Sequence, residues 1–329
     1  KLSTEVVDTC VESLQYGSQL VDSRKLIFHI LYTLMGVSVY GTRLDGDNEE
    51  IRQFEENNEA FRTLAPNGLP SDTAPWLAIL YRGTEKKVAS LLRDSRDIIC
   101  RLFAKAEETY ISGQSDNFTH AILAAREEAI REEKEDAEYL TRGNLILLVR
   151  NTFIGGTDTS AGILQWLFLR MAKEPKIQEK IQKEIEDNIG SNAPVYEDRA
   201  KLPYTVACLM ETLRCHPISP LGLPHKTSVD TKVGDVRIPK NTGIMFNIYG
   251  VNHDPEIWDD PQQFRPERFL DPMTGKLSQD AKQVLTFSTG PRTCPGEKLA
   301  HVDMFYVLVR LMQRLSCSAP GEPLGRERG

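Results

Sequence analysis

The chain has 329 residues, of which 40% are hydrophobic and 26% are charged, and its formal net charge at pH 7 is −7. This length can enclose a sizeable core, and single α-rich domains reach it, so we predict one domain over residues 1–329. The acidic balance, with no stripe of Lys and Arg interleaved with aromatic residues, argues against nucleic acid as a partner.

Six cysteines are scattered along the sequence without paired short spacings. This pattern favours a reducing compartment over a disulfide framework or a zinc site. The sequence begins with Lys1 and shows neither a signal peptide nor a run of about 18 uninterrupted apolar residues. We therefore interpret it as a fragment of a longer protein.

Apolar residues at spacings of three and four predict a mainly α-helical fold with small β-sheets. Helices are expected, in chain order, over residues 21–40, 86–110 and 145–171, from Pro175 to a point before Gly190, and from Pro203 to a point before Pro217. Charged residues over 126–138 indicate a solvated helix face. Turn formers and β-branched residues over 227–247 predict short antiparallel strands, and a proline-rich meander follows over 253–272.

A loop over residues 287–296 precedes a last predicted helix at 297–315. Its cysteine, Cys294, lies just before the helix N-terminus, where the helix dipole and backbone N–H groups favour a thiolate, the form that binds iron. Gly290 and Gly296 permit tight turns close to a flat ligand, and Arg292 supplies a fixed positive charge for a carboxylate. The alternative interpretation of Cys294 is a buried free thiol.

The pattern of this loop, Phe-x-x-Gly-x-Arg-x-Cys-x-Gly, resembles the haem-binding signature of the cytochromes P-450. In this sequence it is formed by Phe287, Gly290, Arg292, Cys294 and Gly296. Ser288 departs from the family pattern, because a second glycine is usual at that position. The resemblance implies the cytochrome P-450 fold, haem b (iron protoporphyrin IX) as cofactor, and Cys294 as the ligand of its iron.

A second pattern involves three charged residues that precede the cysteine loop. Glu211 and Arg214 lie three residues apart on one predicted helix, where they can form an ion pair, and Arg268 lies in the meander. An isolated Glu-x-x-Arg is common by chance. Its order and distance before Cys294 match a Glu/Arg/Arg network of the family, which implies that the three residues fix the meander beneath the haem.

The long apolar helix contains Gly-Gly-Thr-Asp-Thr-Ser at residues 155–160. Two glycines weaken the helical ladder and let a hydroxyl bend or open it. The alternative is a glycine-softened core helix in which Thr159 bonds its own backbone. In the family, the matching segment crosses the distal face of haem, which implies proton delivery by Asp158 and Thr159 and a cofactor contact at Gly156.

His225 lies between the Glu-x-x-Arg helix and the predicted strands. The family usually places a basic residue there, in contact with a haem propionate, so the resemblance implies this role for His225. The stretches LPHKTSVDTKVGD, PERFLDP and FSTGPRTCPGEKLAHVDMF are similar to animal microsomal members related to steroid 17-alpha-hydroxylases. That subgroup implies a steroid or a similar lipophilic compound as substrate.

The resemblance implies a monooxygenase that inserts one oxygen atom from O2 into an apolar substrate. No flavin or nicotinamide fingerprint is present, so electrons are expected from NADPH through a separate flavoprotein reductase, with a small b-type cytochrome as a further candidate partner. Arg292, Lys298 and Arg310 are expected to form the docking face. Two alternatives stay open: a haem-thiolate isomerase or dehydratase without a reductase, and an inactive truncated fragment.

The resemblance covers nearly the whole sequence, from the early middle helices of the family through the cysteine helix. The N-terminal portion of the family fold and its C-terminal hairpin are expected to be missing from this chain. A membrane anchor would belong to that N-terminal portion. By family resemblance, the location is the endoplasmic reticulum membrane, on its cytosolic face.

Overall fold

A computed structural model of the chain describes residues 2–12, 21–43, 49–65, 68–278 and 283–319. These residues are mostly helical, with two small antiparallel sheets, so the predicted fold class is confirmed. The chain divides into two compact units: unit 1 contains Lys1–Leu31 and Gly156–Gly329, and unit 2 contains Tyr32–Gly155. One domain over the whole chain stays a prediction, and the expected truncation at residue 329 lies outside the described residues.

Unit 2 is built from helices that pack around aromatic side chains. Its elements are the second part of α2 (Ser23–Tyr40), α3 (Glu49–Leu64), α4 (Pro70–Thr73), α5 (Ala78–Glu108), α6 (Phe118–Arg131) and the first part of α7 (Arg142–Lys173). Tyr32, Tyr40, Phe54 and Phe153 are almost fully buried, and the ring centroids of Tyr40 and Phe153 are 5.4 Å apart. Such aromatic pairs contribute beyond the area that they bury.

Unit 1 is organised around α9, whose residues from Thr205 to Cys215 are all buried. Its other helices are α1 (Leu2–Glu12), the rest of α2 and α7, α8 (Pro175–Asn188), α10 (Ile248–Asn252) and α11 (Glu297–Arg314). A carboxylate of α8 caps α9, because Glu184 accepts hydrogen bonds from the N–H groups of Tyr204 and Thr205 at 2.8 Å each. The helix ends at Cys215, as expected from Pro217.

The short strands form two separate two-stranded sheets in unit 1. Strand β1 (His225–Lys226) pairs with β4 (Gly243–Ile244), and β2 (Thr231–Val233) pairs with β3 (Val236–Ile238). Gly234, with φ +57°, lies in the tight turn between β2 and β3. Both sheets are antiparallel, as predicted.

The structure differs from the sequence prediction in three helices. Helix α6 ends at Arg131, inside the charged segment 126–138 that was expected to form a helix face. Helix α5 begins at Ala78, eight residues before the predicted start, because its first turns carry exposed apolar residues that no burial pattern marks. Helix α7 is α-helical throughout residues 142–173, so the opening expected at Gly155 and Gly156 is not seen in its hydrogen-bonding pattern. An interior glycine costs a helix only about 1 kcal/mol, which the buried neighbours of these glycines offset.

None of the helices within the described ranges is long and apolar enough to cross a bilayer.

Candidate cofactor site

Cys294 lies in the turn directly before α11, in a loop that closes on itself. The Cys294 amide donates a hydrogen bond to the carbonyl oxygen of Phe287 at 2.9 Å. The Thr293 hydroxyl donates to the same oxygen at 3.2 Å. The carbonyl group of Phe287 therefore fixes the backbone of Cys294, whose side chain is half-buried.

Gly296 leaves room beside the sulfur. A β-carbon at this position would lie 3.8 Å from Cys294 Sγ, so any other residue would fill space at the face of the thiol. The 18 residues of α11 begin at the next position, Glu297, and the N-terminal end of a helix attracts negative charge. A sulfur here is placed to act as an anionic ligand with an open side.

Two consecutive turns of the loop use left-handed backbone. Gly290 has φ +76°, which costs glycine nothing, whereas Ser288 has φ +63°, which costs a residue with a β-carbon about 1–2 kcal/mol. Ser288 is the position where the family usually has glycine. Serine therefore replaces glycine at position 288, while the backbone keeps the left-handed conformation that glycine favours.

We expect Ser288→Gly to raise the free energy of unfolding by about 0.5–1 kcal/mol, since relief of the left-handed strain exceeds the entropy that glycine adds to the unfolded chain. Urea unfolding followed by circular dichroism measures the change. Gly290→Ala is the matched control: nothing lies within 4 Å of its added β-carbon, so backbone strain alone should lower stability by about 1 kcal/mol. A less stable Ser288→Gly variant would contradict the strain at this position.

Glu211 binds two arginines in the interior of unit 1. Its Oε2 atom is 2.8 Å from Arg214 Nε, and its Oε1 atom is 3.1 Å from Arg268 Nε. Glu211 and Arg214 have no exposed side-chain surface, and the side chain of Arg268 is only 6% exposed. The structure therefore brings these three residues into one buried charge network.

The same two arginines hold the meander through its carbonyl groups. Arg214 Nη1 donates to the backbone oxygens of Asn252 at 2.8 Å and Pro261 at 2.9 Å, and Arg268 Nη1 donates to that of Asp259 at 2.8 Å. Buried charges are tolerated only when they are paired and their donors satisfied, as they are here. The network joins α9 to the segment that precedes the Cys294 loop.

His225 and Arg292 lie on different elements of unit 1. His225 is half-buried on β1, with its ring centroid 5.0 Å from that of Phe246 in an edge-on contact. Arg292 is exposed at the end of a short 3₁₀ turn, Gly290–Arg292, two residues before Cys294. Only Arg292 shares a loop with the cysteine.

Asp158, Thr159 and Gly156 lie on α7, at the start of its unit 1 part. Thr157 and Ser160 are buried, whereas Thr159 is exposed and Asp158 is half-buried. The Thr159 side chain thus faces away from the helix stripe that packs into the core. Thr159 therefore lies on the solvent-facing side of α7.

The expected docking role of Arg310 is wrong. This residue is only 9% exposed, and its guanidinium pairs with the carboxylate of Asp8 on α1, with two nitrogen–oxygen distances of 2.7 Å. Its position on α11 directs its side chain toward the core. The sequence alone does not reveal this, because the partner residue Asp8 is distant in sequence. Arg292 and Lys298 remain exposed.

One residue next to the loop was assigned no role from the sequence. His301 on α11 lines a cavity of about 200 Å³ together with Phe287, Ser288 and Glu297. Burial and, to a lesser extent, the positive charge of Arg199 lower the pKa of His301 to about 4, so the ring is neutral at pH 7. The four-residue spacing of Glu297 and His301 was the signal in the sequence that both share one face of α11.

The donor set in unit 1 suits haem. A cysteine sulfur at the positive end of a helix, with a glycine that leaves room beside it, fits an iron ligand next to a flat group. The exposed guanidinium of Arg292 fits a carboxylate such as a haem propionate. These residues would therefore hold the cofactor by its metal and by its acidic edge.

Comparison with known proteins gives consistent results. Residues 2–326 match the family model of the cytochrome P450. The chain is 26% identical over 322 residues to the steroid 17-alpha-hydroxylase/17,20 lyase of Homo sapiens, covering 97% of the chain and 63% of the relative. It is 28% identical over 323 residues to that of Peromyscus leucopus, covering 97% and 64%. The chain spans about 63% of the length of the curated relatives it matches, and it belongs to the cytochrome P450 family.

Proposed function

We propose that the chain is the catalytic part of a haem-thiolate monooxygenase that inserts one oxygen atom from O2 into an apolar substrate. The observation that carries this proposal is the position of Cys294, a half-buried sulfur at the N-terminal end of α11 with open space at Gly296. Relatives named steroid 17-alpha-hydroxylase/17,20 lyase support a steroid or a similar lipophilic compound as substrate.

The proposed reaction consumes a substrate C–H group, O2, two electrons and two protons, and it yields the hydroxylated product and water. Bound haem supplies the activation of O2, with a thiolate ligand that donates electron density. Cys294 would supply that sulfur, Arg292 and His225 would bind the propionates, and Phe287, Gly290, Gly296 and Gly156 would shape the surfaces that meet the cofactor. Glu211, Arg214 and Arg268 hold the meander that precedes the Cys294 loop.

Proton delivery is assigned to Asp158 and Thr159. Thr159 is an exposed residue whose hydroxyl can both accept and donate a proton, and the adjacent, half-buried Asp158 carries a carboxyl group. An acid and a hydroxyl at neighbouring positions can thus deliver two protons, one after the other, to the proposed oxygen site. An isomerase or dehydratase needs no such relay, so these two side chains favour the monooxygenase.

Electrons are proposed to come from NADPH through a flavoprotein reductase, with a small b-type cytochrome as a further partner. The exposed cations nearest in sequence to Cys294 are Arg292 and Lys298, which can attract an acidic electron donor. Arg310 is not part of this face, because it is paired with Asp8 inside unit 1. We also infer, from the microsomal members that the sequence resembles, a location at the cytosolic face of the endoplasmic reticulum membrane.

Thr159→Ala is expected to uncouple the reaction, because protons then reach the oxygen site only through water. With ¹⁸O2, NADPH, a cytochrome P450 reductase and progesterone as the probe substrate, wild-type product should carry one ¹⁸O atom. In the variant, labelled product per NADPH should fall roughly tenfold, and labelled hydrogen peroxide should rise.

Thr152→Ala is the control, since Thr152 lies on the same helix outside the Gly155–Ser160 segment and its hydroxyl donates to the carbonyl of Leu148 at 3.0 Å. This variant should couple NADPH use to product as the wild type does. Unchanged coupling in Thr159→Ala would contradict its role in proton delivery, and unlabelled product that forms without NADPH would favour the isomerase or dehydratase.

A further inference from the structure

The ring of His301 packs against the ring of Phe287, the first residue of the cysteine loop. Their centroids are 5.1 Å apart and their planes are inclined at 56°. His301 lies on α11, seven positions after Cys294 and within the helix rather than in the loop. A side chain of α11, His301, thus contacts Phe287 in the loop that precedes this helix.

Phe287 controls the backbone of Cys294 through its carbonyl oxygen. That oxygen accepts hydrogen bonds from the Cys294 amide at 2.9 Å and from the Thr293 hydroxyl at 3.2 Å. A shift of Phe287 therefore moves the acceptor on which the Cys294 amide depends. The path from the imidazole to the cysteine passes through one ring contact and one hydrogen bond.

A cavity beside Phe287 makes its contact with His301 important. About 200 Å³ of space is lined by Phe287, Ser288, Glu297 and His301, so Phe287 is not enclosed by close packing on every side. A side chain beside a cavity has room to move, and its remaining contacts decide where it stays. His301 and Glu297 line this cavity from α11.

We propose that His301 is a positioning residue for Cys294, which holds Phe287 in place so that its carbonyl oxygen fixes the cysteine backbone. The imidazole acts by the shape and packing of its ring against Phe287. This inference rests on the proposed role of Cys294 as the iron ligand. The geometry of the loop can nevertheless be measured without a bound cofactor.

The test is the alkylation rate of Cys294 by iodoacetamide in the haem-free full chain, located by mass spectrometry. An aromatic pair is worth about 0.5–1.5 kcal/mol, so His301→Ala should open the loop and accelerate alkylation of Cys294 by about two- to tenfold. His301→Phe keeps a ring against Phe287 and should react at the wild-type rate. Cys100, in unit 2, serves as the internal reference and should react equally in all variants.

Leu308→Ala separates positioning from general stability. This fully buried residue of the same helix supports the core, so its truncation should lower stability and leave the native Cys294 rate unchanged. If His301→Ala does not fold, His301→Leu removes the aromatic ring and keeps most of the volume. The proposal is overturned if Cys294 is alkylated at the same rate in the wild type and in the variant without the ring, His301→Ala or His301→Leu. It is also overturned if His301→Phe reacts as fast as the variant without the ring.

A second readout uses the chain with haem bound. In the reduced, carbon monoxide-bound form, His301→Ala should lose more of the red-shifted band that reports thiolate ligation than His301→Phe does. A colourless wild type would refute the proposed function, whereas the alkylation rates would still decide whether His301 positions the loop.

Discussion

Replacing Glu211 with alanine is expected to destabilise unit 1 by about 3–5 kcal/mol, because it leaves two buried guanidinium groups without their carboxylate. Both Glu211 and Arg214 have no exposed side-chain surface. Glu211 Oε1 also accepts the backbone N–H of Arg265 at 2.8 Å, so the change removes a meander contact as well. A loss of this size is a large part of the stability of most domains.

The control for this change lies on the same 3₁₀ turn as Arg268. Glu267 pairs with Lys180 at 2.8 Å, and both side chains are about half exposed, so Glu267→Ala should cost less than about 1 kcal/mol. Urea unfolding measures both variants, and limited proteolysis reports whether residues 253–272 become accessible. Similar losses of stability in the two variants would show that the buried network is no stronger than a surface ion pair.

Local signals in the sequence were sufficient to predict most elements of unit 1. Pro175 and Pro203 open α8 and α9, and the ring of Pro217 requires α9 to end before it. These residues act on their own backbone, so the sequence alone carries the signal. The apolar stripe of α8 is equally local, because it depends only on the helical repeat.

Contacts between distant residues could not be predicted in the same way. The capping of α9 by Glu184 and the pairing of Arg310 with Asp8 join segments that are 20 and about 300 positions apart in sequence. Neither pair has a spacing that marks it. Burial of Arg310 therefore contradicted the expected docking role, although exposed Arg292 and Lys298 are consistent with it.

In the candidate site, too, some features could be predicted from local sequence and others depend on the folded structure. The residues of the Cys294 loop follow from one short pattern, and the Glu211 pair follows from its helical spacing. The role of His301 depends on its ring contact with Phe287 and on the cavity beside it, and both arise only when α11 and the loop are folded. A lone histidine in a helix gives no such information.

Cys294→Ser is expected to abolish the red-shifted absorption band of the reduced, carbon monoxide-bound chain. A serine hydroxyl has nearly the same shape and keeps the backbone hydrogen bond to Phe287, but it ionises too weakly to replace a thiolate as an anionic ligand. The fold should therefore persist, with unchanged circular dichroism, while the ligand is lost. The expected change is complete rather than partial, because one sulfur carries the ligation.

Cys317→Ser is the matched control, since Cys317 is also half-buried and its sulfur contacts Gln178 Oε1 at 2.9 Å. That contact is a hydrogen bond that a serine hydroxyl can make, so this variant should keep the band at full height. A band that survives in Cys294→Ser would mean that another group binds the iron. Since every proposed role in the site is defined relative to Cys294, the assignments of Thr159, Asp158, Arg292 and His225 would then lose their common reference point.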